Sequence, residues 1–333
     1  MVLKRGEKPG RPLVLGLGGT GVIGQALAAV LERRGLDYVS ISLSPDILGA
    51  DGPRNLCFDL HSATVDATAK ILERFQERHI VGVIDILGGA GPAAEAVAAF
   101  AARRNIPVAT ISSCLLYKHE GTGVVDEECP SLSLNAASQP YIRAKLLLEA
   151  FWRKQPCEWV LVRTHHVLGR GSLLGCIPAH NRDPQLLERI RTGTSLALAH
   201  RGMIKVSYVH PEDLADVILE VLLKRIEMNR VVNIVYPEPV LARDYYASLA
   251  TELGSTFPEP TNFDTDPTDF WIATARDNIY ASIHPVVKAY GFAYGINSCI
   301  RSALSIEPQD YAQLGDFMRR RIVGQPEDLT AAD

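Results

Sequence analysis

The chain has little excess of either charge: 34 Lys and Arg stand against 38 Asp and Glu, for a formal net charge of -4 over 333 residues. Nonspecific grip on a nucleic-acid backbone comes from concentrated Lys and Arg, so this balance argues against nucleic acid as a partner while leaving room for a small basic site that holds a phosphorylated metabolite. Cysteine is also sparse. The six residues Cys57, Cys114, Cys129, Cys157, Cys176 and Cys299 never approach CxxC spacing, and no histidines cluster around them. That excludes a disulfide framework and a zinc site, so no metal is expected and a reducing, cytoplasmic setting is. No apolar stretch reaches the length of a membrane span, and Met1 to Pro12 is basic and polar without the apolar centre of a secretion signal. Internal repeats and low-complexity segments are absent as well.

What is present is a chain with 47% apolar residues, able to bury a large core. Pro12 to Leu17 is a short apolar run ending in glycines, and Val22 to Arg34 follows with helical apolar spacing. This reads as strand, tight turn, helix. Strands over Tyr38 to Leu43, Val81 to Leu87 and Val108 to Ser112 then alternate with helices over Thr68 to Arg78 and Pro92 to Arg104. A helix over Tyr141 to Trp152 and a strand over Trp159 to Arg163 continue the pattern. Parallel strands need crossover helices, so this alternation predicts an α/β doubly wound parallel sheet of the Rossmann type.

The regularity breaks in a Gly, Pro and His-rich stretch from His165 to Pro184, where open α/β sheets place their ligands. Further on, Gln185 to Arg191 and Pro211 to Lys224 read as helices and Ile204 to Val209 as a strand. The expected dinucleotide-binding domain covers 12–167, with 203–235 returning to it. A smaller C-terminal substrate lobe covers 168–202 and 236–322, and flexible tails are expected at 1–11 and 325–333.

Gly18, Gly21 and Gly24 stand between the first strand and first helix, within Gly18-Gly19-Thr20-Gly21-Val22-Ile23-Gly24. Missing side chains there allow a tight turn, close approach of backbone to a pyrophosphate and close helix packing, which together seat a dinucleotide. At the end of the second strand an acidic residue would bond the ribose hydroxyls and repel a 2′-phosphate. Ser42 occupies that position. A small hydroxyl does not exclude the phosphate, yet no arginine immediately follows to hold it, so NAD and NADP both stay open.

Tyr141 and Lys145 lie one helical turn apart, so an ammonium can sit under the phenol and lower its pKa toward working pH. A phenol so tuned is a usable general acid or base. A hydroxyl from Ser113 would bond the substrate oxygen and stabilise charge developing on it.

The GxxGxxG spacing, the Ser112-Ser113-Cys114-Leu115-Leu116-Tyr117 segment, the acidic Asp126-Glu127-Glu128 and the Tyr141-Ile142-Arg143-Ala144-Lys145 motif together resemble the extended short-chain dehydrogenases/reductases. Within them, the chain is similar to an atypical subgroup of the NAD-dependent epimerase/dehydratase family. The resemblance covers nearly the whole ordered chain and implies a catalytic Ser113, Tyr141 and Lys145. It implies a cofactor, NAD or NADP, held by Gly18 to Gly24, Ser42, Asp59, Leu60, Leu87 and Gly88. Asp59 sits in Cys57-Phe58-Asp59-Leu60, similar to the segment after the family's third strand. It either caps the adenine amino group or is an ordinary loop carboxylate.

Several positions depart from the family. Asp85 stands in place of the histidine of the His-x-Ala-Ala type segment, His166 at a substrate-touching asparagine, Arg170 at a proline and Val206 at the arginine that grips a substrate pyrophosphate. His166 is thus either a substrate contact or a structural histidine. Arg170 and Lys205 are candidate replacements for the lost charge, and Asn181 with Pro184 is similar to the family's substrate-lobe helix start.

The implied function is NAD(P)-dependent epimerisation or ketone reduction of a sugar or sugar nucleotide, in a homodimer. The alternative is a noncatalytic or RNA-associated protein that keeps the fold. A 4,6-dehydratase is disfavoured, because Cys114-Leu115 occupies the positions where the family's dehydratases carry an Asp-Glu pair.

Overall fold

The computed structural model describes residues 10–43, 54–118, 123–137, 139–172, 174–175, 183, 185–262 and 279–305. Asn181, Pro184 and nearly all of the expected tails lie outside these residues. The described chain divides into two compact units. One is built from the chain up to Ser113, Ala144–Arg163 and Leu214–Val232; the other from Cys114–Arg143, Thr164–Asp213 and the chain from Asn233 onward.

The first unit is organised by a seven-stranded sheet. In chain order its strands are β1 (Leu13–Leu17), β2 (Asp37–Ser42), β3 (Arg54–Cys57), β4 (Ile80–Asp85) and β5 (Val108–Ser113), with β7 (Trp159–Thr164) and β12 (Arg230–Asn233) completing it. The spatial order is β12-β7-β5-β4-β1-β2-β3, and every pairing from β5 across to β3 is parallel. β1, β5 and β7 are buried along their whole length, as strands covered on both faces must be. The chain runs outward from β1 through β2 to β3, then returns to the other side of β1 at β4. That reversal opens a crevice at the carboxyl ends of β1 and β4.

Helix α1 (Val22–Arg33) buries Gly24, Leu27, Val30 and Leu31, a stripe at helical spacing. α2 (Val65–Glu73) begins one turn before the sequence pattern suggests, because the Thr64 hydroxyl accepts from the Ala67 N–H at 3.2 Å and caps it there. α3 (Pro92–Arg104) has Pro at its start and ends on Asn105 in the left-handed region at φ 52. β3 has no apolar alternation to announce it and forms through its parallel register with β2, Val39 to Arg54 through Ser42 to Cys57.

In the second unit, whose short strands include β6 (Gly123–Val125) and β9 (Ala197–Leu198), β8 (His166–Val167) pairs in parallel with β11 (Tyr208–Val209), and β10 (Lys205–Val206) pairs antiparallel with β13 (Val240–Leu241). The single strand expected over Ile204 to Val209 is therefore two strands that change partner at Ser207. The Ser207 hydroxyl accepts from the Ala281 N–H at 2.9 Å, supplying a bond that a continuous ladder would otherwise make. Leu168, Leu174, Leu186, Tyr208, Tyr245 and Leu249 belong to this unit's own core.

Candidate active site

The turn after β1 is shaped by what its glycines exclude. Gly18 has φ +77, a conformation that side chains other than glycine rarely adopt, and a Cβ there would run into Leu87. A Cβ on Gly24 would overlap the Gly19 carbonyl, so α1 packs directly on the turn. A Cβ on Gly19 would overlap the Tyr38 hydroxyl and crowd Ser40, whereas nothing stands within 4 Å of the corresponding position on Gly21. Side chains from β2 thus support the turn from beneath, and its Gly21 flank is open.

α1 begins at Gly21 with no side-chain cap and no acidic residue in its first turn. Its first N–H groups, at the positive end of the helix dipole, remain available to an anion. The buried Tyr38 hydroxyl, which burial holds well above the usual phenol pKa, finds no hydrogen-bond partner among the described residues. An open, uncapped, glycine-lined turn at the sheet's reversal point fits the pyrophosphate of a dinucleotide.

The other expected cofactor contacts are disposed as follows. Ser42 is buried, its hydroxyl 2.7 Å from that of Ser40. Asp59 accepts from the His61 N–H at 2.9 Å and from the Ser62 hydroxyl at 2.7 Å; the Ser62 bond, followed by the His61 bond, holds its carboxyl below the usual range. The carboxylate thus organises its own turn. Leu60 packs in the core of the first unit, and Leu87 packs against its edge. Thr20 is buried, Val22 and Ile23 are half-buried, and Gly88 has φ +61.

Ser113 is the buried last residue of β5. Helix α4 (Pro140–Trp152) carries both Tyr141 and Lys145. Tyr141 is 42% exposed, open enough for a ligand to reach, while Lys145 is 7% exposed. The Lys145 Nζ donates to the Ile111 carbonyl at 2.8 Å. Burial pulls its proton affinity below the usual lysine range, opposed by Asp85 and then by Glu149.

One turn further along α4, Glu149 is buried and fully engaged. Its Oε1 accepts from the Ser112 hydroxyl at 2.7 Å and from Arg163 Nε at 2.8 Å. Its Oε2 accepts from Arg163 Nη2 at 2.8 Å and Arg153 Nη2 at 3.3 Å. Burial would push this carboxyl up, but Arg163 foremost outweighs it and holds it below the usual range. The clamp fixes the end of β5, the middle of α4 and β7 to one another, next to Ser113 and Lys145. Its signal in the sequence is an arginine inside the otherwise apolar strand Trp159–Thr164, where a buried charge demands a partner.

Among the expected substrate contacts, His166 lies on β8, edge-on to Tyr245 with ring centroids 6.5 Å apart. Its Nε2 is buried without a partner among the described residues, and burial, with His165 adding to it, lowers the ring to about 4. The imidazole is therefore neutral at physiological pH. Arg170 is exposed in the turn that follows, its backbone N–H donating to the Ser302 hydroxyl at 3.1 Å. Lys205 is half-buried on β10, a strand whose pairing is separate from that of β8.

Comparison with solved structures supports the fold. A dTDP-glucose 4,6-dehydratase from Bacillus anthracis, in complex with NAD, matches with a TM-score of 0.67 at 15% identity, over 91% of this chain and 99% of its own. The epimerase Mth375 of Methanothermobacter thermautotrophicus matches with a TM-score of 0.68 at 17% identity, over 94% and 95%. A UDP-glucuronic acid 4-epimerase from Bacillus cereus, also with NAD, gives 0.63 at 15% identity over 90% and 98%. No curated protein matches the chain. The model of the NAD dependent epimerase/dehydratase family matches residues 14–234, from β1 through the last strand of the seven-stranded sheet, and the chain belongs to that family.

Proposed function

We propose that this protein is an NAD-dependent enzyme that either oxidises and re-reduces a hydroxyl-bearing carbon of a nucleotide sugar, giving an epimer, or reduces a ketone carbon of one to the alcohol. The observation that carries the reading is the placement of Lys145, buried against the carbonyl of Ile111 near the end of β5, on the helix that also carries Tyr141. NAD, when bound, accepts hydride from an alcohol carbon or returns it to a ketone.

The chain's own residues handle the proton. Tyr141, as phenolate, takes the proton of the substrate hydroxyl as the carbonyl forms, and gives it back when the carbonyl is reduced. Lys145, as ammonium, favours the ionised phenol. Ser113 donates a hydrogen bond to the same substrate oxygen and stabilises the charge it gains. The uncapped start of α1 and the open side of Gly21 would hold the cofactor's pyrophosphate.

The neighbours' names support a nucleotide sugar: one solved structure, MoeE5, is in complex with UDP-glucose and NAD, and the Bordetella bronchiseptica enzyme WbmG is in complex with NAD and UDP. Elimination is the weaker reading, because Cys114 and Leu115 follow Ser113 and offer no carboxylate; Cys114 is buried instead, its thiol facing the Asn233 side-chain oxygen at 3.9 Å.

The test is incubation of a panel of UDP- and dTDP-linked hexoses with NAD, and of their keto derivatives with NADH, with products resolved by chromatography. An epimer formed without net loss of NAD, or an oxidised or reduced sugar formed with stoichiometric change of the cofactor, is expected. Turnover of the sugar without any dependence on NAD would contradict the proposal.

A further inference from the structure

Asp85, the last residue of β4, is 3% exposed and stands at a position where the family's usual segment carries histidine. Its Oδ1 accepts from the Gly88 N–H at 2.9 Å, closing a short turn that delivers Gly88 at φ +61. A Cβ on Gly88 would overlap the Lys145 Nζ and crowd the Ile111 carbonyl, so the ammonium rests directly on this glycine's backbone. The turn made by Asp85 is therefore the surface against which the head of Lys145 is packed. Two carboxylates act on that ammonium, Asp85 from β4 and Glu149 from the next turn of α4. They are not equivalent. Glu149 is spent on Arg163, Arg153 and Ser112, whereas Asp85 has Lys145 as its cation.

We propose that Asp85 is a positioning residue that acts through Lys145, its carboxylate keeping the ammonium charged and its turn keeping the ammonium in place. The proposal rests on the reading of Tyr141 and Lys145 as the proton-handling pair. Burial raises the Asp85 carboxyl to about 6, against the pull of the Gly88 N–H and of Lys145. A carboxyl whose folded pKa lies above its unfolded value contributes stability that is present below the unfolded pKa and is lost as pH rises through the folded one. Between about pH 4 and 6 the native protein thus gives up stability to ionise Asp85. An asparagine would make the same turn without that cost, which is the pattern of a group retained for activity.

The experiment is thermal unfolding of the full chain across about pH 3.5 to 8, for the wild type, Asp85→Asn, Lys145→Met and the double variant. Asp85→Asn preserves the carbonyl that accepts from Gly88 and removes only the charge. At about pH 3.5, below the unfolded carboxyl's pKa, it is expected to melt with the wild type, and near pH 8 to melt about 5 °C higher. The gap should open above about pH 4 and level off near pH 6 with Lys145 present. With Lys145→Met, where the carboxylate has lost its cation, the levelling-off pH should move upward by about one unit.

Coincident melting of Asp85→Asn and the wild type at both ends would overturn the proposal, and that pair alone decides the matter if Lys145→Met does not fold. A levelling-off pH that is unchanged by Lys145→Met would overturn it equally. Neither readout requires a substrate, so failure here is distinguishable from failure of the proposed activity. With a nucleotide sugar that turns over, Asp85→Asn should lower kcat at least about tenfold at neutral pH while leaving NAD affinity unchanged. Unchanged kcat would remove the link to Tyr141.

Discussion

Tyr141→Phe is expected to lower kcat for the NAD-dependent conversion by about 10³-fold, within the range that a positioned acid or base contributes, and to leave NAD affinity and melting temperature where they were. Tyr141 stands 42% exposed on α4, so removing its oxygen opens no core cavity. On the proposed mechanism, what is lost is the acceptor for the substrate's hydroxyl proton. A loss of kcat without a rise in KM marks an interaction made mainly in the transition state. Full activity in this variant, measured with the nucleotide sugar that the wild type converts, would remove Tyr141 from the chemistry.

The largest expected effect on stability lies at Arg163, not at a catalytic position. Arg163→Met is expected to cost about 3–5 kcal/mol in urea-induced unfolding, because it leaves Glu149 ionised and buried with Ser112 and the largely exposed Arg153 as its remaining partners. Arg163 is 2% exposed, and its fork meets both oxygens of Glu149 at 2.8 Å. The double variant Arg163→Met with Glu149→Leu should recover much of that loss, since a buried pair replaced by apolar groups of similar volume is often near neutral. Additive losses in the double variant would show that the two residues do not act as a pair.

Which parts of this architecture could be read in advance follows from how local each signal is. The turn from Gly18 to Gly24 was legible because a strand, a glycine turn and a helix are adjacent in sequence, and the missing side chains have a direct steric meaning. Lys145 one turn after Tyr141 was legible for the same reason. The clamp that holds them was not: Ser112 and Glu149 are 37 residues apart, Glu149 and Arg163 14 apart, and the pairing depends on three elements meeting.

Other features were hidden by the same dependence on pairing. β3 carries little apolar pattern and exists because β2 offers it a ladder, and the expected strand Ile204 to Val209 divides at Ser207 because its two halves pair with different strands. Tyr38 gave no hint that its hydroxyl would lie beneath Gly19. Asp85 was visible as a departure from the family, but its meaning came only with the packing of Lys145 on Gly88.

The most direct test of the account is a calorimetric titration of NAD into the wild type and into Gly21→Leu. Gly21 has an extended backbone with φ -89, and nothing stands within 4 Å of where its Cβ would be. A side chain there fits the fold and occupies the space assigned to the pyrophosphate. One-site binding to the wild type is expected, with Kd at roughly the micromolar level. A loss of at least about a hundredfold is expected in Gly21→Leu, with the melting temperature of the free protein unchanged. A wild type that does not bind NAD, or a Gly21→Leu protein that binds it equally well, would contradict it.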